Sequence, residues 1–129
     1  MRFDHAGIAT DDAPGLAATY ADLLDAEIAH EETFEDLNVV FLDLGNGYVE
    51  CLEPVGEDNA IASYLDRNGP GTHHLALGTR DIEAALDRAR ETGIELIDET
   101  PREGAWGHDV AFLHPKSTGG VLLEFVESA

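Results

Sequence analysis

An internal repeat constrains this chain more than any other feature. His5-Ala6-Gly7-Ile8-Ala9-Thr10-Asp11-Asp12 and His74-Leu75-Ala76-Leu77-Gly78-Thr79-Arg80-Asp81 share one pattern: histidine, apolar, small, apolar, small, threonine, any residue, aspartate. The apolar stretch reads as a strand in each, and the closing Thr and Asp suit a helix N-cap. The spacing then predicts a helix after each. Leu16, Tyr20, Leu23 and Leu24 share a face of the first, with Pro14 in its first turn. Ile82, Ala85, Leu86 and Ala89 share a face of the second, which Gly93 stops.

Short strands follow each helix, at about 27–30, 37–44 and 48–53 in the first half and 95–97, 109–114 and 121–126 in the second. Gly45-Asn46-Gly47 marks a tight hairpin. Asn38-Val39-Val40-Phe41-Leu42 is echoed by Asp109-Val110-Ala111-Phe112-Leu113, and Gly47-Tyr48-Val49-Glu50 more loosely by Gly120-Val121-Leu122-Leu123-Glu124. The expected class is α+β: two βαβββ modules in tandem, about 1–55 and 72–129. A linker at 56–71 contains a short helix near Asn59 to Arg67. A chain of 129 residues suits one domain, and 43% hydrophobic residues suffice for a core.

Charge narrows the possible partners. Seven basic against 27 acidic residues leave a formal net charge of -20. Phosphate binding needs a basic face, so nucleic acid and anionic membrane surfaces are not expected partners. The acidic residues are dispersed among Ala, Leu and Gly, which argues against an acidic tail and favours a surface adapted to high salt over a nucleic-acid mimic. At 1 M salt the Debye length is only roughly 3 Å, and such a surface is then tolerable. One lysine and six arginines agree with that reading. The single cysteine, Cys51, allows no internal disulfide and lies in an apolar strand pattern, as a buried inert thiol does. Without a signal-peptide pattern or a long apolar run, a cytoplasmic protein is expected.

In each half a histidine opens the first strand and a glutamate lies on the last: His5 with Glu50, His74 with Glu124. Glu124 stands in the apolar run Val121-Leu122-Leu123-Glu124-Phe125-Val126, where an ionised carboxylate is costly unless paired, metal-bound or turned to solvent. Glu50 in Val49-Glu50-Cys51-Leu52 poses the same problem. Equivalent positions in two related modules project to related places, so two imidazoles and two carboxylates make a mixed N/O site suited to Co, Mn, Ni, Zn or Fe(II). Lys116, the sole lysine, lies in His114-Pro115-Lys116-Ser117-Thr118-Gly119-Gly120. That loop lacks the upstream glycine of a phosphate-binding loop, but it suits contact with an anionic group. Trp106 is read as loop packing or a substrate-facing residue, His30 and His108 as surface residues, and Glu31 to Asp36 as a solvated loop.

These stretches resemble the vicinal oxygen chelate superfamily and, within it, the methylmalonyl-CoA epimerases. The resemblance covers nearly the whole chain. It is carried by His5-Ala6-Gly7-Ile8-Ala9, by Val49-Glu50-Cys51-Leu52-Glu53-Pro54 and by His73-His74-Leu75-Ala76. It continues through Leu96-Ile97-Asp98-Glu99-Thr100-Pro101-Arg102 and, most specifically, through Phe112 to Glu124. It implies curved mixed sheets around a divalent metal held by His5, His74 and Glu124, with Glu50 at a fourth position and His73 beside the ligand shell. It also implies interconversion of the (R) and (S) forms of methylmalonyl-CoA through a metal-stabilised enolate. Glu124 is then one acid/base, and Glu50 or a bound water stands for the other, because the position aligned with the family's second carboxylate is Val39. Lys116 and Ser117 are implied to contact the acyl-CoA, and a homodimer is implied by analogy. A glyoxalase, an Fe(II) dioxygenase and a metal-free small-molecule binder of the same superfamily are the alternatives.

Overall fold

The computed structural model describes residues 1–128, and the βαβββ order recurs in both halves. The elements are β1 (Arg2–Ala9), α1 (Ala13–Leu24), β2 (Glu27–Phe34), β3 (Leu37–Asp43), β4 (Tyr48–Pro54), α2 (Ala60–Asn68), β5 (Gly71–Gly78), α3 (Ile82–Glu91), β6 (Arg102–Glu103), β7 (Asp109–Leu113) and β8 (Leu123–Glu127). The chain forms two compact units. One is His5–His73; the other joins Met1–Asp4 to the residues from His74 onward. Among the described residues no helix is long and apolar enough to cross a membrane.

In the first of these units the strands lie in the order β2-β3-β4-β1, and in the second β5-β8-β7-β6. The strand that precedes each main helix pairs parallel to the last long strand of its module: β1 with β4, and β5 with β8. Within each unit the remaining pairings are antiparallel. One face of each sheet is covered by its helix. Ala13 and Ala17 of α1 pack on Val40, Leu42 and Cys51. Ile82, Ala85, Leu86 and Ala89 of α3 pack on Ala111, Leu113 and Phe125. Side chains alternate along a strand, so the intervening residues, Phe41 and Glu50 in one unit and Phe112 and Glu124 in the other, face away from the helices.

Both helices start at the repeated Thr and Asp, and the repeat is closer than the sequence pattern suggests. Thr10 Oγ1 accepts from the Asp12 amide and Thr79 Oγ1 from the Asp81 amide, each at 3.2 Å. Asp12 Oδ1 caps the Gly15 amide and Asp81 Oδ1 the Ala84 amide, each at 3.0 Å. A further clamp comes from the last strand. Glu53 Oε1 accepts from Ala13 N and Glu127 Oε1 from Ile82 N, both at 2.8 Å. Glu53 and Glu127 lie three residues after Glu50 and Glu124, so each strand turns one carboxylate away from the helix and ties the helix N-terminus with the other. A carboxylate at a helix N-terminus combines a charge-assisted hydrogen bond with a favourable dipole interaction. Glu127→Gln is therefore expected to lower stability by about 1–2 kcal/mol, read as a fall in the urea midpoint at unchanged m; an unchanged midpoint would count against the clamp.

Several boundaries differ from expectation. The acidic stretch read as a loop extends β2 to Phe34, with Glu31 paired to Val40 and Glu32 to Val39. An edge strand tolerates consecutive acids, one on each face, that the hydrophobic pattern does not register. Of the expected helix face, Leu16 and Tyr20 pack on the core beside Ala13 and Ala17, whereas Leu23 and Leu24 at the end of α1 are exposed. The strand expected at 95–97 reduces to a bridge from Leu96 to Leu113, and β6 instead forms at Arg102–Glu103. The last strand begins at Leu123 rather than at Val121. Gly45 and Gly47 adopt positive φ in the β3–β4 turn, which Leu44 N closes on Gly47 O at 2.9 Å.

Candidate functional site

Each unit presents the same three-residue group. His5 Nε2 lies 3.1 Å from Glu50 Oε1, and His74 Nε2 lies 3.2 Å from Glu124 Oε1. The registers that produce these pairs are identical. Glu50 is partnered by Gly7, two residues beyond His5, and Glu124 by Ala76, two residues beyond His74. A phenylalanine completes each group: His5 meets Phe41 edge-on with centroids 5.5 Å apart, and His74 meets Phe112 in the same way at 5.5 Å. Those rings stand directly opposite the glutamates, Phe41 against Glu50 and Phe112 against Glu124. The phenylalanines belong to the sequence echo around 38–42 and 109–113, where a strand pattern carries no mark of their ring contacts.

All four polar residues are buried, with exposures of 4% for His5 and His74, 5% for Glu50 and 6% for Glu124. A carboxylate this far from water is costly to ionise unless its charge is compensated. Imidazole nitrogens and carboxylate oxygens are the donor set of borderline divalent cations, so these residues fit a metal of that kind.

Residues 4–112 match the sequence profile of the Glyoxalase/Bleomycin resistance protein/Dioxygenase superfamily. The chain belongs to this superfamily. Within the superfamily, an ethylmalonyl-CoA/methylmalonyl-CoA epimerase of Cereibacter sphaeroides is 39% identical over 127 residues, covering 95% of each chain. The mitochondrial methylmalonyl-CoA epimerase of Homo sapiens is 36% identical over 130 residues, 98% of this chain and 74% of its own. The crystal structure of methylmalonyl-CoA epimerase from Mycobacterium tuberculosis superposes with a TM-score of 0.93 at 35% identity, covering 99% of this chain and 88% of that one. The tandem βαβββ architecture is thus that of the superfamily.

Other residues singled out in this superfamily member sit as follows. Lys116 Nζ pairs with Glu95 Oε1 at 2.8 Å and holds that carboxyl below its usual range. Ser117 Oγ accepts from the Glu95 amide at 3.0 Å. Both expected substrate-contact residues therefore brace the segment that follows α3. His73 stands edge-on to Tyr64 with centroids 5.2 Å apart, and alternation along β5 turns it to the face opposite His74. Trp106, at φ 63°, stacks on His108 at 5.5 Å. Cys51 is fully buried behind Glu50; desolvation, and then the Glu50 charge, push its thiol up to about 11, so it is an inert core residue. His30 is not a plain surface residue. Its Nε2 lies 3.2 Å from Glu32 Oε1, and its ring packs on Phe41 at 6.3 Å.

Proposed function

We propose that this chain is a divalent-metal-dependent methylmalonyl-CoA epimerase, interconverting the (R) and (S) forms of its acyl-CoA substrate. The observation that carries the reading is the buried His–Glu pair repeated in identical register, His5 with Glu50 and His74 with Glu124. Similarity to epimerases over nearly the full chain supports the choice of substrate. In this reading His5, His74 and Glu124 hold the cation, Glu50 occupies a fourth ligand position, and Co, Mn, Ni or Zn suits the set. When bound, the cation supplies Lewis-acid stabilisation of negative charge on substrate oxygen.

The chain's own groups do the rest. Glu124 Oε1, steadied by His74 Nε2 at 3.2 Å, is the base that takes the proton from the carbon between thioester and carboxylate. The edge-on contacts with Phe41 and Phe112 restrict the two imidazoles, so their nitrogens are presented without a search over rotamers. Lys116 and Ser117, in the loop before the strand of Glu124, are positioned for an anionic part of the acyl-CoA once Lys116 exchanges its contact with Glu95. A homodimer, by analogy alone, and a cytoplasmic location belong to the same reading.

Incubation with (S)-methylmalonyl-CoA in deuterated water tests the reading. Deuterium is expected at the α-carbon together with appearance of the (R) form, both lost on chelation and restored by a divalent cation. A protein that incorporates no deuterium is not this epimerase, and one whose exchange survives exhaustive chelation does not use the metal.

A further inference from the structure

Epimerisation requires a second group that moves a proton at the face of the α-carbon that Glu124 does not serve. Resting on the reading above, we propose that this group is Glu32, held by His30. Residues directly opposite one another across an antiparallel pair share a face. Glu50 stands opposite Phe41, and Phe41 opposite His30, so these three form one row on the face turned away from α1. The next row is Leu52, Val39 and Glu32. Glu32 therefore lies on the same face as Glu50, one row along, joined to His5 through the rings of Phe41 and His30.

Elimination leads to the same residue. The carboxylates on this face of β2–β4 are Glu27, Asp43, Glu50 and Glu32. Glu27 is exposed at the start of β2, opposite Asp43 and beyond the register shift between Ile28 and His30. Asp43 Oδ1 is committed to the β3–β4 turn, accepting from the Gly45 amide at 2.7 Å. Glu50 is 5% exposed and lies 3.1 Å from His5, as a ligand does. Glu32 differs in having 27% of its side chain exposed while His30 Nε2 fixes its Oε1 at 3.2 Å. A group that must return a proton and then re-equilibrate needs both that fixed geometry and a route to water. Val39, opposite Glu32, is apolar and leaves the carboxylate without a like-charged neighbour in its row.

In one direction Glu124 accepts the α-proton and a protonated Glu32 donates one to the opposite face; in the other direction the roles reverse, and the net proton count is unchanged. The decisive experiment is Glu32→Gln, followed with each epimer separately in deuterated water. Interconversion is expected to fall at least about 100-fold, while the epimer whose proton Glu124 takes still exchanges deuterium with retention at a rate near that of wild type. Glu32→Asp is expected to restore part of the interconversion. Unchanged interconversion in Glu32→Gln overturns the assignment. A parallel loss of exchange in both epimers also overturns it, because that is the mark of a structural role. A wild-type chain that exchanges neither epimer overturns the proposed function itself, and this assignment with it.

Discussion

Glu124→Gln is expected to fold like the wild type yet lose at least about 10³-fold in α-proton exchange and interconversion. The substitution is nearly isosteric and its amide can still meet His74 Nε2, so the packing against Phe112 has no reason to change. What disappears is one buried negative charge, and with it both the proposed base and one proposed metal ligand. Equilibrium dialysis against a divalent cation is expected to show at least a tenfold loss of affinity. Glu50→Gln serves as its counterpart in the other unit: the metal affinity should fall similarly, but deuterium exchange should fall less, since Glu50 is assigned no proton. Exchange within about threefold of wild type in Glu124→Gln would remove this residue from the mechanism. The clamp residue Glu127 is the matched control on the same strand, since its loss touches stability and not the site.

The second large effect concerns salt. With 27 acidic and seven basic residues, the folded chain concentrates like charge that the unfolded chain spreads out. Four of the seven basic residues form ion pairs: Arg2 with Asp4, Arg90 with Asp87, Arg102 with Asp98 and Lys116 with Glu95. Few attractive pairs are thus available for salt to weaken, and screening acts mainly on repulsion. Between about 0.01 M and 1 M salt the Debye length falls from roughly 30 Å to 3 Å. Over that range Tm is expected to rise by at least about 10 °C, on the order of 3 kcal/mol for a chain of this size. A melting temperature flat within about 2 °C across the same range would show that the acidic surface is electrostatically idle.

The repeat made most of the architecture legible. A histidine, a threonine and an aspartate at the same offsets placed two strands, two caps and two helices, because each residue type has a local physical task. The four buried polar residues were also legible, since an acid inside an apolar strand is costly unless it has a partner. What could not be read was register. Whether Glu50 meets His5 depends on Gly7 standing opposite it, and no pattern within one strand determines its neighbour. The same holds for Glu32, which looked like part of a solvated acidic run until β2 was seen to pair it with Val39. Glu53 and Glu127 were hidden for a different reason: their partners are backbone amides, which leave no mark in the side-chain pattern.

The two modules part company at one row. Opposite Val39 stands Glu32, and opposite the corresponding Val110 stands Arg102, whose guanidinium lies 5.6 Å from the Phe112 centroid, as His30 lies beside Phe41. The histidine, glutamate and phenylalanine are kept in both copies, so this row is where one module carries an acid and the other a base. Duplication has thus preserved a shared polar group while leaving its flank free to give each copy its own charge.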